Sequence, residues 1–226
     1  MSEPRPHPHQ GERLIESGAP LDGAAAVGIL IHGRGSSGSE IIRLAAHLSP
    51  EGTNGRIAWL APQAAGNQWY PHRFLEPVER NEPFLSSALR VIDDLVDSAH
   101  AAGVPANQVV IGGFSQGACL GLEYAARGSR PVGGVIAFAG ALIGAPDDAR
   151  APLPDLSGVP VFIGCGDMDA HIDIALAEGS AQTFRDAGAE VDFRRYGGLH
   201  HTIVEDELAA AKALMSRVVS ASHPVP

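Results

Sequence analysis

The sequence of 226 residues predicts an α/β protein, a doubly wound and mostly parallel sheet with helices on both faces. Three observations lead there. Short apolar runs alternate with longer stretches of helical period, the pattern of parallel strands joined by crossover helices. Those runs are nearly continuously apolar, as strands covered on both faces are. The length suits one domain that buries a substantial core without disulfides or metal.

Taken in order, residues 1–13, "MSEPRPHPHQGER", are rich in proline and histidine and read as a disordered tail. Their "HPH" is at most an adventitious metal binder, and they lack the apolar stretch of a signal peptide. The domain is expected over 14–220, with a second tail at 221–226. Strands are expected at 26–33, 56–62, 108–114, 133–140, 160–166 and 190–196. The helix expected over 82–103 places Leu85, Leu89, Ile92, Leu95 and Val96 on one stripe and stops at Gly103 and Pro105. Further helices follow in "GACLGLEYAARG", "IALAEGSAQTFRDAG" and "EDELAAAKALMSRVVS", the last with Thr202 and Glu205 as a capping box.

A formal charge of −10 argues against nucleic acid or anionic membrane surfaces as partners. No apolar run reaches the length of a membrane span. Cys119 and Cys165 lie inside apolar runs, which reads as reduced, buried thiols in a cytoplasmic protein. The oligomeric state is left open to a homodimer.

The chemistry concentrates in loops that leave strand ends. "GGFSQGACLG" holds Gly113, Ser115 and Gly117 in a G-x-S-x-G pattern between an apolar strand and a helix. That turn strains the serine backbone, so Gly113, Gly117 and Ala118 keep the surroundings free of bulk. The alternative is a glycine-rich turn with an inert serine. "ILIHGRGSSGS" lacks the Lys-Ser/Thr and glycine spacing of a phosphate-binding loop. It reads better as an H-G-x-G loop, whose backbone N–H at Arg34 would join that of Gln116 in holding an oxyanion. His32 reads as a positioning residue.

A serine hydroxyl needs a base, and the base needs a group to orient it. Downstream, "GCGDMDAHID" offers Asp167, Asp169 and Asp173, and "GGLHHTI" offers His200 and His201. Order and loop placement suit Ser, then Asp, then His, but periodicity does not choose between the two imidazoles. The segment "APQAAGNQWYPHRFLEPVERNEP" is too polar and proline-rich for regular structure. Its Trp69, Tyr70, Phe74 and Leu75 would wall a substrate pocket or pin the loop to the surface.

Together "LIHGRGSSG", "APQAAGNQWYP", "GGFSQGACLGLEYA", "GCGDMDAHI" and "GGLHHTI" resemble the phospholipase/carboxylesterase branch of the α/β-hydrolases, the group that includes acyl-protein thioesterases. The resemblance spans roughly residues 25 to 218 and implies a single-domain α/β-hydrolase fold; no large insertion encodes a cap domain, which predicts an open site suited to short and medium acyl chains. It places the acid on Asp169 and the base on His201. His200 stands where many relatives have glycine, and His171 where they usually have an apolar residue.

The implied activity is hydrolysis of short- to medium-chain carboxylic esters by the triad Ser115, Asp169 and His201, with a small-molecule ester as substrate and neither cofactor nor metal. A thioesterase or lysophospholipase would use the same residues. A catalytically silent hydrolase fold that only binds a ligand is the reading from a different class.

Overall fold

The computed structural model describes residues 7–53, 55–145 and 150–220. The chain runs β1 (Leu14–Gly18), β2 (Ala26–Ile31), α1 (Gly38–Ile41), α2 (Leu44–Leu48), β3 (Ile57–Pro62), α3 (Phe84–Ala101) and β4 (Val109–Phe114). It continues through α4 (Gln116–Arg127), β5 (Gly134–Phe138), β6 (Pro160–Gly166), α5 (Ile174–Asp186), β7 (Glu190–Tyr196) and α6 (Glu205–Ser220). The seven strands form one sheet in the order β1-β3-β2-β4-β5-β6-β7.

Strands β2 to β7 are mutually parallel, and β1 adds an antiparallel edge against β3, pairing Leu14 with Pro62. All six strands read from the sequence lie within their apolar runs. β1 escapes that reading because "LIESG" is almost wholly exposed and carries no periodic signal.

Successive residues of one strand serve opposite faces. On β2, Val27, Ile29 and Ile31 pack with α3, α4 and α5, whereas Ala26 and Leu30 pack with α1, α2 and α6. Burial on both sides is the physical reason the strands are continuously apolar. On α3, Leu85, Leu89, Ile92 and Val96 are buried, and Gly103 at φ +86 turns the chain out after the helix. Among the described residues no helix is long and apolar enough to cross a membrane.

Two local expectations need correction. Residues 1–6 and 221–226 of the expected tails lie outside the described residues, but residues 7–13 do not behave as a tail. His9 is only 2% exposed, and its ring meets the loop after β3. Secondly, the last helix is not capped by Thr202 and Glu205. Its carboxylate cap comes from Glu207, whose Oε2 accepts the Val204 N–H at 2.8 Å. The box is displaced by two residues because α6 begins at Glu205, not before it.

Candidate active site

Parallel strands bring their carboxyl ends to one edge of the sheet, and the loops leaving them can meet there. At the end of β4, Ser115 adopts φ 56 and ψ −120, a strained conformation for a residue with a side chain. Its N–H donates to the Phe138 carbonyl at 2.9 Å, and its carbonyl accepts the Cys119 N–H at 3.0 Å. Close packing explains the glycines. A Cβ at Gly117 would lie 2.1 Å from the Ile31 carbonyl oxygen, and one at Gly113 would lie 2.5 Å from the Gly117 carbonyl carbon. The turn therefore abuts both β2 and α4, with the N-terminus of α4 opening directly behind the serine.

The loop after β2 is fixed from beneath. His32 is fully buried; its Nε2 accepts the Ala64 N–H at 3.1 Å, so Nδ1–H donates to the Gly33 carbonyl at 2.8 Å. The Trp69 indole N–H donates to the His32 carbonyl at 2.9 Å. Gln116 ties the same segment to α4: its Oε1 accepts the Trp69 N–H and its Nε2 donates to the Tyr70 carbonyl, each at 2.8 Å. His9 completes this scaffold, with Nδ1 accepting the Ala65 N–H and Nε2–H donating to the Trp69 carbonyl. Burial pushes both His9 and His32 below the usual imidazole pKa, which keeps them neutral as these bonds require. Among the described residues, the backbone N–H groups of Arg34 and Gln116 donate to nothing.

The loops that carry Asp169 and His201 are sewn together by backbone bonds from Asp167 N–H to the Tyr196 carbonyl and from Met168 N–H to the Leu199 carbonyl. A Cβ at Gly166 would lie 2.1 Å from the Leu199 carbonyl oxygen, so this approach requires glycine. Asp169 Oδ1 accepts the N–H groups of His171 and Ile172 at 2.8 and 3.0 Å, and Oδ2 accepts His201 Nδ1–H at 2.6 Å. Burial pushes the Asp169 carboxyl upward, but the hydrogen bonds from His201, Ile172 and His171 outweigh it and hold the group below the usual carboxylate range. With Nδ1 protonated, His201 keeps its Nε2 lone pair. Its ring is wedged between Phe114 and His171, each with ring centroids 4.7 Å away.

The other candidates go elsewhere. His200 is exposed and contacts the Met168 carbonyl through Nδ1. Asp167 braces the loop that carries His201 through Gly198 N–H and the Arg195 guanidinium. Asp173 caps α5 by accepting the Ala175 N–H.

A cavity of about 620 Å³ brings together Ser115, His201, Arg34, Gln116, Tyr70 and Phe74. Trp69 is not among its lining; fully buried and in contact with the rings of His9 and His32, it supports the wall from behind. Leu75 lines a neighbouring cavity with Val78 and Leu142. No hydrogen bond joins the Ser115 hydroxyl to His201, and bonds of this kind often tighten only in a substrate complex. Residues that the sequence did not assign to the site also line the cavity, notably Arg73, Cys119 and Ile172. Cys119 follows Ser115 by one helical turn, a spacing that would have revealed it. Burial pushes its thiol up to about 12, and both cysteines are buried and free.

A family model described as Phospholipase/Carboxylesterase matches residues 15–219. The crystal structure of a phospholipase/carboxylesterase from Dyadobacter fermentans is 37% identical with a TM-score of 0.83, covering 91% of this chain and 97% of that one. Acyl-protein thioesterase 1 of Neurospora crassa is 28% identical over 62% of this chain, and that of Saccharomyces cerevisiae 30% over 62%. The chain spans 59% and 62% of the lengths of those two relatives.

Proposed function

Because the chain belongs to the phospholipase/carboxylesterase family, we propose that it is a serine hydrolase that cleaves short- to medium-chain carboxylic esters through an acyl-enzyme. The observation that carries this reading is that His201, bonded to Asp169 at 2.6 Å, lines one cavity with a strained Ser115. Ser115 Oγ attacks the acyl carbon as His201 Nε2 takes its proton. The N–H groups of Arg34 and Gln116, free of other acceptors, hold the oxyanion of the tetrahedral intermediate. Its collapse expels the alcohol, which takes the proton from His201. Water then repeats the sequence on the acyl-enzyme and releases the acid. Asp169 fixes the imidazole tautomer and stabilises its cationic form.

The test is pre-steady-state hydrolysis of p-nitrophenyl butyrate. The expected result is a burst of p-nitrophenol equal to the enzyme concentration, lost in Ser115→Ala. Full activity in that variant would overturn the reading. A second reading, an acyl-thioesterase using the same residues, is favoured by the names of the fungal relatives. The ratio of kcat/KM for matched oxygen esters and thioesters separates the two.

A further inference from the structure

The lining of the catalytic cavity has a charge bias opposite to that of the chain. Among the described residues, its ionisable side chains other than Tyr70 and Cys119 are Arg34, Arg73, His171 and His201, with no carboxylate among them, in a chain of formal charge −10. The nearby Asp169 side chain is fully buried behind His201 and spent on three donors. Glu40, next to the lining residue Ser36, accepts the Ser36 and Ser37 hydroxyls. Glu76 is paired with Arg80 at 2.8 Å.

The two arginines differ. The Arg34 guanidinium is committed to the Gln68 side chain and to the carbonyls of Pro71 and His72. The Arg73 guanidinium makes no hydrogen bond or ion pair among the described residues. Its backbone is nonetheless held: the Arg73 carbonyl accepts the Glu76 N–H at 3.1 Å and Asn81 Nδ2–H at 3.2 Å. Asn81 is itself fully buried. An unneutralised guanidinium on an exposed residue of the cavity lining, its backbone held in place, attracts anions, and its planar fork matches a carboxylate or a phosphate.

We propose that the physiological substrate is an ester bearing an anionic oxygen group, a carboxylate or a phosphate, and that Arg73 is the residue that receives it. This inference rests on the hydrolase reading above and adds the substrate class to it. Arg73 acts on specificity, since it lies outside the Ser115, His201 and Asp169 relay.

The experiment compares kcat/KM for two matched pairs with the full chain. Monoethyl against diethyl adipate places a carboxylate on the acyl part. 1-Butyrylglycerol 3-phosphate against 1-butyrylglycerol places a phosphate on the alcohol part. The anionic member of one pair is expected to be favoured about tenfold, an advantage that shrinks as salt is added. Arg73→Ala should lower that anionic-to-neutral ratio about tenfold, Arg73→Glu should invert it, and Arg73→Lys should restore part of it. The pair that responds identifies the group and its side of the ester.

No anionic preference in either pair, or an equal loss for both members in Arg73→Ala, would overturn the proposal. Hydrolysis of neutral p-nitrophenyl butyrate separates the two levels. If it proceeds and depends on Ser115, only the substrate class fails; if no ester is turned over, both readings fall.

Discussion

At the scale of single residues, the adjacent His200 and His201 have been assigned opposite fates by their surroundings. His201 is wedged between Phe114 and His171 with Nδ1 on Asp169, whereas His200 points into solvent. His201→Ala should lower kcat for p-nitrophenyl butyrate by about 10⁴- to 10⁶-fold, and Asp169→Asn by about 10⁴-fold, the scale seen when a triad member is removed. His200→Ala should stay within about threefold of the wild type, because an exposed ring away from the relay contributes little. Equal losses in the two histidine variants would contradict this assignment. The sequence already narrowed the candidate base to these two rings, since the glycine turn and the chain order are local signals. Local pattern did not choose between them, because the choice depends on where a carboxylate 32 positions upstream arrives; only the family resemblance pointed to His201. Arg73 had no local signal at all.

At the scale of elements, the G-x-S-x-G turn was legible because both its causes are local: an apolar strand before it and small residues around it. What each glycine touches was not. Gly117 faces the end of β2, so a methyl group there must displace the loop that holds Arg34. Gly117→Ala should cost about 3 kcal/mol and most of the activity, measured by chemical denaturation and turnover. An unchanged stability would show that β2 and α4 are not in the described contact. The N-terminal segment was misjudged for the converse reason. Proline and histidine look tail-like in isolation, yet His9 fills a slot formed by Ala65, Trp69, Phe84 and Ser87. Its truncation to alanine leaves the buried Trp69 carbonyl without this partner, at about 1–3 kcal/mol, and the part-buried Ala65 N–H without its acceptor. His9→Ala should therefore lower Tm by several degrees, whereas a change below one degree would return the segment to a mere tail.

At the scale of the molecule, buried ionisable groups set opposing pH limits. His9 and His32 have folded pKa values below the unfolded value of 6.5, so the unfolded chain binds more protons and stability falls as pH drops below that value. Glu207 runs the other way. It is fully buried, its Oε1 lacks a partner, and burial pushes its carboxyl up to about 7 from 4.5. Its contribution is complete below pH 4.5 and is lost as pH rises toward 7. The Tm of Glu207→Gln relative to wild type should therefore rise steadily between pH 5 and pH 8; a flat difference would refute the buried, protonated carboxyl. The parallel order of the sheet followed from the strand–helix alternation, but this carboxyl did not, because its burial depends on Gly164 leaving room on β6. The loops after β4, β6 and β7 bring a hydroxyl into one cavity with an imidazole held by a carboxylate. The most direct measurement is mass spectrometry of the intact protein and its peptides after brief exposure to a fluorophosphonate. One adduct on Ser115 is expected, at a rate at least about a hundredfold lower in His201→Ala. An adduct elsewhere, or labelling of Ser115 at an unaltered rate without His201, would contradict the account.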